Sequence, residues 1–319
     1  MSRAVYYICD NPEFGHVSQH VWDILGEEGY LDEKTDIVFD GRETYMYKDD
    51  AGNEYWFVPT RVALCLDYPR WLPEMNKYFA DFDISGMVTW HEGASAPPNI
   101  LTVHSHGDVE TGIYAPTRPT LMRNLLVGID EERQKLGLDD YTVVTEATHW
   151  SGVFDEQGNP SDPALLLEYP VAMMDIEVGS DPSSWENMDA CRALARGLMH
   201  IFDDNGLYVH NLLCVGGIHF QTDWARAPFR VWDGQTFGVT HCIANQWLVD
   251  GHYEDEKGFE WIENAMNAIG GGVEAIVFHD KMKACYKDLC RELGAKYDIP
   301  FYKHQRLRNP ETLEFAKKA

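Results

Sequence analysis

The 319-residue sequence predicts an α/β fold, a three-layer sandwich with a mixed sheet and helices on both faces. Three observations carry this. Runs rich in β-branched and aromatic residues alternate with stretches of helical periodicity through most of the chain. Hydrophobic residues make up 45% and charged residues 24%, enough to close a core at this length. There is no internal repeat and no low-complexity linker, so the simplest organisation is a single domain over 1–319 with a decorated N-terminal third.

Taken in order, Ala4–Cys9 reads as a strand, broken by Asp10-Asn11-Pro12. From His16 to about Leu25, Val17, Val21 and Ile24 recur at helical spacing. Short strands follow at Asp36–Phe39, Thr44–Tyr47 and Tyr55–Val58, with a hairpin turn over 49–53 between the last two. Gly86–Trp90 and Asn99–His104 are strands, and 120–136 is a helix stopped by Gly137. Tyr141–Thr145 is a strand running into Glu146 and His149. Asp181 caps a helix with Pro182 at its first position, its buried face marked by Trp185, Met188, Leu194, Leu198 and Phe202. Leu212–Val215 is an apolar strand, and 256–268 a helix ended by Gly270-Gly271-Gly272. Ala275–Phe278 is a buried strand, Lys281–Leu293 a helix, and Phe301–Lys303 a last short strand.

The net charge of −26 repels phosphate backbones at long range and argues against DNA or general nucleic-acid binding. Residues 281–319 depart from this, with ten Lys/Arg against five Asp/Glu. Seven scattered cysteines form no CxxC, so neither a disulfide framework nor a zinc ribbon is expected. No apolar run approaches the roughly 18 residues of a membrane span, and the N-terminus lacks the apolar core of a signal peptide. These features predict a cytoplasmic protein with free thiols and no membrane association.

Chemistry-bearing residues cluster where strands end. The segments are His104-Ser105-His106-Gly107-Asp108, Glu146-Ala147-Thr148-His149, Gly216-Gly217-Ile218-His219 and Thr240-His241. Polar groups at such ends sit where open α/β sheets bind ligands. Imidazole and carboxylate together suit Zn²⁺. Each segment has a plain structural alternative: a capping carboxylate, a tight glycine turn, or a hydrogen-bonded core histidine for His241. His16 and His20 read as a solvated helix face, and Cys285 and Cys290 as packing residues. No GxSxG, P-loop or GxGxxG pattern occurs.

Over nearly its whole length the chain resembles the archaeal and plant type of D-aminoacyl-tRNA deacylase. Leu101-Thr102-Val103-His104 is similar to the family's TVH stretch. Thr145-Glu146-Ala147-Thr148-His149 is similar to its E-x-THHGP motif. Gly216-Gly217-Ile218-His219 is similar to the start of its GGxHYAPR motif, and Gly238-Val239-Thr240-His241 to its later GH segment. There are departures. Trp150 replaces the second histidine, Ser151-Gly152 replaces Gly-Pro, and Phe220-Gln221-Thr222-Asp223 replaces Tyr-Ala-Pro-Arg.

The resemblance implies a zinc-dependent hydrolase that cleaves the ester between a D-amino acid and tRNA with metal-activated water. His149, His219 and His241 are the expected metal residues, with Glu146 and His104 sharing the roles of further ligand and general base. Gly216, Gly217, Trp150 and Phe220 are expected to border the substrate, and Arg306 to meet phosphate together with Lys303 and Arg308. The lost arginine and the acidic surface keep two alternatives open. One is a divergent member acting on a small-molecule ester or amide. The other is a non-catalytic binding protein on the same scaffold.

Overall fold

The computed structural model describes residues 1–11, 13, 16–93, 96–150, 157 and 159–316. β1 (Arg3–Cys9), α1 (His16–Glu27), β2 (Lys34–Phe39), β3 (Arg42–Lys48) and β4 (Glu54–Thr60) match the expected order. α2 (Tyr68–Phe79) has no counterpart in the sequence reading, because Pro69 and Pro73 look like breakers. Pro69 lies in the first turn, where a missing N–H costs nothing. Trp71, Leu72, Met75 and Phe79 then supply a buried stripe that outweighs Pro73.

β5 (Ile84–Glu92), β6 (Asn99–Ser105), the short pair β7 (Gly107–Asp108) and β8 (Ile113–Tyr114), α3 (Pro119–Lys135) and β9 (Thr142–Thr145) follow. β10 (Met173–Ser180) is fully buried yet carries Asp175 and Glu177, which hide it from a hydrophobicity reading. The helix expected after Asp181 is two helices, α4 (Pro182–Trp185) and α5 (Met188–Gly197). Asp181 caps the first as expected, accepting from the N–H groups of Ser183 and Ser184. Asn187 caps the second, accepting from those of Asp189 and Ala190. The chain continues through β11 (Tyr208–Val215), α6 (Thr222–Ala225), β12 (Val231–Trp232), β13 (Gln235–Ile243), α7 (Asn245–Asp250), α8 (Gly258–Asn267), β14 (Ala275–Phe278), α9 (Ala284–Tyr297) and β15 (Phe301–Lys303).

The strands form two principal mixed sheets, ordered β2-β3-β4-β1-β5-β10-β6-β9 and β12-β13-β11-β14-β15. The chain divides into two compact units. The first comprises 1–103, 124–143 and 151–203; the second comprises 104–123, 144–150 and 204–319.

In the first unit β1 lies between β4 and β5, parallel to both. Neighbouring side chains on a strand point to opposite faces. Tyr7 packs on Phe39 and on Phe79 of α2, with ring centroids 5.6 and 6.0 Å away. Tyr6 stacks on Phe57 and donates its hydroxyl to the Leu198 carbonyl at 2.8 Å, just beyond α5. One tyrosine pair thus shows helical structure on both faces of the sheet. Each such fully buried aromatic contributes about 2 kcal/mol through area removed from water.

The second unit repeats the logic. Leu213, Val215, Ile276 and Phe278 join a core with Ile262 and Met266 of α8 and Tyr286 and Leu293 of α9. Leu212, Cys214, Ala275 and Val277, alternating with them, join Trp224, Ala227 and Leu307 on the other face. The cysteines are free; Cys290 is buried as expected, but Cys285 is exposed. No helix is long and apolar enough among the described residues to cross a membrane.

Candidate functional site

The candidate site lies within the second unit. β6 and β9 each pass into that unit with their last two residues, and β6 brings His104 with it while β9 leads into Glu146. The residues after β9 stay extended because the backbone has partners. The Ala147 N–H donates to the His219 carbonyl at 3.1 Å, and the Thr148 N–H to that of Cys242 at 2.8 Å. The Cys242 N–H in turn donates to Thr148 Oγ1 at 3.0 Å. This pairing sets the Glu146–His149 segment beside both β13 and the turn that carries His219.

The turn itself needs its glycines. Gly216 and Gly217 have φ of +90° and +78°. A Cβ on Gly216 would lie 2.7 Å from Met282 Sδ and 3.0 Å from His279 Cβ. The turn is pinned by the Gly216 N–H donating to the Ile243 carbonyl and by the Asn245 N–H donating to that of Gly217.

Four expected residues meet here: His104, Glu146, His149 and His219. The buried Glu146 carboxylate lies between two imidazoles. His104 Nε2 is 3.5 Å from Oε1, and His219 Nε2 is 3.1 Å from Oε2. The rings of His104 and His149 stack with centroids 3.8 Å apart. His219 is partly exposed, its side chain 27% accessible, whereas His104 and Glu146 are buried. Trp247, at the start of α7, stacks on His149 at 5.8 Å and meets His219 edge-on at 5.3 Å. Sequence reasoning passed over Trp247; its position four residues past the end of β13 was the available signal.

Backbone carbonyls orient the imidazoles. His149 Nδ1 donates to the Ala147 carbonyl at 2.9 Å, which leaves its Nε2 as the lone-pair nitrogen. His104 Nδ1 faces the Ser105 carbonyl at 3.2 Å, which turns its Nε2 toward a carboxylate oxygen of Glu146. Burial, with His104 and His219 nearby, pushes His149 down to about 3, so its ring is neutral at neutral pH. Burial would raise the Glu146 carboxyl, but the His219 hydrogen bond and the neighbouring imidazoles hold it well below the usual carboxylate range. His104, Glu146 and His149 offer ligand atoms that all lie within 4.8 Å of one another, a nitrogen-nitrogen-oxygen set of the kind zinc takes.

His241 is not brought into this cluster. It is buried within β13, not beyond its end, and its nitrogens have protein partners. Nε2 is 3.0 Å from the Ala115 carbonyl, and Nδ1 is 3.0 Å from Ser105 Oγ and 3.1 Å from Thr148 Oγ1. The core alternative therefore describes it. Burial, with His106 nearby, pushes His241 down to about 4. Below the ordinary histidine range the unfolded chain binds a proton that the folded chain refuses, so stability falls as pH falls from about 6.5 to about 4. This single group costs on the order of 3 kcal/mol across that window. In denaturant titrations His241→Asn should show a shallower stability loss than wild type over this range; parallel curves would contradict the assignment.

The remaining candidates scatter. Phe220 meets His219 edge-on at 4.8 Å, and half-buried Trp150 meets His106 at 4.5 Å. Arg306 is exposed and bonds to Thr312, with its guanidinium over the Tyr302 ring, so its described contacts do not include the cluster. Asp223, where the family pattern has arginine, is turned inward and buried, paired with His304 and Arg308. Ser151-Gly152 lies outside the described residues.

The model of the D-aminoacyl-tRNA deacylase family matches residues 78–302. The chain is 26% identical to a D-aminoacyl-tRNA deacylase of Haloarcula marismortui over 258 residues, which is 74% of this chain. The match covers 47% of the relative, so the chain spans about half the length of that curated protein. The solved structure of a conserved protein of unknown function superposes with a TM-score of 0.70 at 18% identity. It covers 99% of this chain and 98% of its own, and this likeness concerns the fold.

Proposed function

The chain belongs to the D-aminoacyl-tRNA deacylase family, and from that premise we propose that it hydrolyses the ester joining a D-amino acid to tRNA at the His104, Glu146, His149 and His219 cluster. One observation carries the reading. Residues from three separate strand-end segments converge around a single buried carboxylate, the positions at which the family motifs are retained.

His104, His149 and Glu146 would hold Zn²⁺. When bound, the ion supplies Lewis acidity to an ester carbonyl and lowers the pKa of water. The chain's own groups do the rest. Glu146 Oε2 accepts from His219 Nε2–H, which keeps that proton in place and leaves Nδ1 of His219 as the nitrogen that would take the proton of the attacking water. The partial exposure of His219 gives it access to substrate that the buried His104 and Glu146 side chains lack. The same ring then returns the proton to the ribose oxygen as the ester bond breaks. Trp247 stacks on His149 and, with Phe220, meets His219 edge-on, which shields part of the imidazole surface from water.

The buried pairing of Asp223 bears on the tRNA reading: the acid that replaces arginine is neutralised by Arg308 and does not face a phosphate. Deacylation of charged tRNA should weaken steeply between about 50 and 200 mM salt, because phosphate contacts release counterions. Salt-independent turnover, with a small neutral ester cleaved as well as the tRNA ester, would favour the small-molecule alternative.

A further inference from the structure

A second cluster of metal-ligating side chains lies beside the first, built from residues the reaction does not use. β11, β14 and β15 are parallel neighbours, with Val215 paired to Phe278 and Phe278 paired to Lys303. The next residue on each strand is therefore in register too: Gly216, His279 and His304 form a row across the sheet ends. The carboxyl ends of parallel strands are where open α/β sheets hold ligands. Register explains why the His279 and His304 rings lie face to face, 4.2 Å apart at 20°. It also explains why the first position in the row is glycine, since a Cβ there would meet His279.

We propose that His279, Asp280 and His304 form a second divalent-cation site, suited to zinc, that ties the loops after β14 and β15 together beside the turn carrying His219. Ligand atoms of these residues lie within 4.8 Å of one another. His304 Nε2 is 3.3 Å from Asp280 Oδ1. Two ligands each about 2.0–2.1 Å from a tetrahedral zinc stand about 3.3–3.4 Å apart, so this pair already has the spacing of one tetrahedral edge.

The outer contacts have the matching form. His304 Nδ1 donates to Asp223 Oδ2 at 2.5 Å, and a cation replacing the proton between His304 Nε2 and Asp280 Oδ1 would take the Nε2 lone pair. A carboxylate behind a histidine is the usual support of a metal-bound imidazole. Arg308, 2.7 Å from Asp223 Oδ1, balances that carboxylate. His279 holds one long hydrogen bond, 3.3 Å from the Lys281 N–H to Nδ1, so ligation at either ring nitrogen displaces only that contact. His279 and Asp280 are partly exposed, which gives the ion a path in and leaves room for water. Asp223 is where the family pattern has arginine, and here it supports this second site.

The test is zinc stoichiometry, read without any assay of activity. Chelator-stripped chain is dialysed against Zn²⁺ and the metal counted per chain. His304→Ala and Asp280→Asn should each hold one equivalent fewer than wild type. His149→Ala should keep that equivalent, which separates this site from the first whether or not the first binds metal. Asp223→Asn should weaken the equivalent about 10–100-fold. If His304→Ala fails to fold by circular dichroism, the partly exposed Asp280→Asn decides. The proposal is overturned if both variants hold as much zinc as wild type, or if wild type binds none. In either case a proton on His304 bridges the two carboxylates instead.

Discussion

Replacing Glu146 by Gln should reduce the kcat/KM of deacylation by about 10³–10⁴-fold while leaving the fold intact. Proton transfer by a positioned group is worth roughly 10²–10⁴. Glu146 does more than position one group, because its two oxygens address two different imidazoles. Glutamine fits the same space but carries no charge, and it presents an NH₂ donor to either His104 or His219. The loss corresponds to about 4–5 kcal/mol of transition-state stabilisation. Near-UV circular dichroism should match wild type. Retention of more than a tenth of the activity would remove Glu146 from the reaction.

His149→Ala should cost zinc at the first site and activity together, with activity at least about 10³-fold down. Its Nδ1 bond to the Ala147 carbonyl and its burial prepare a neutral, correctly oriented donor that no neighbour can replace. His219→Ala should behave differently. It removes the exposed base, yet leaves His104, Glu146 and His149 as a ligand set, so zinc at the first site should persist while activity falls about 10²-fold or more. Parallel measurement of bound zinc and turnover separates the two roles. Equal loss of zinc in both variants would place His219 among the ligands instead.

Part of this site was legible in the sequence. A short apolar run marks β14 and the segment just after Ile299-Pro300 marks β15, both to the residue, and the ends of β6 and β9 place His104 and Glu146 at strand termini. What joins them is non-local. The hydrogen bonds from Ala147 to His219 and from Thr148 to Cys242 connect residues about 70 to 95 apart in the chain, and periodicity does not encode such pairings. His241 shows the same limit from the other side. Thr240-His241 reads like a strand end, but β13 continues through Cys242 and Ile243 and buries the ring among hydroxyl and carbonyl partners. β10 was invisible because Asp175 and Glu177 break its apolar run. The division between α4 and α5 was invisible because Trp185, Met188 and Leu194 continue one stripe across the Asn187 cap. The charge balance misled differently: it counted Asp223 as a repelling acid, whereas the fold buries it against Arg308.

The most direct test supplies the zinc-loaded chain with tRNA carrying a D-amino acid and, separately, its L counterpart, and follows release of free amino acid. The account predicts rapid release from the D-ester by wild type, little from the L-ester, and none above background from Glu146→Gln. Release no faster than spontaneous hydrolysis, or equal rates for wild type and Glu146→Gln, would contradict it.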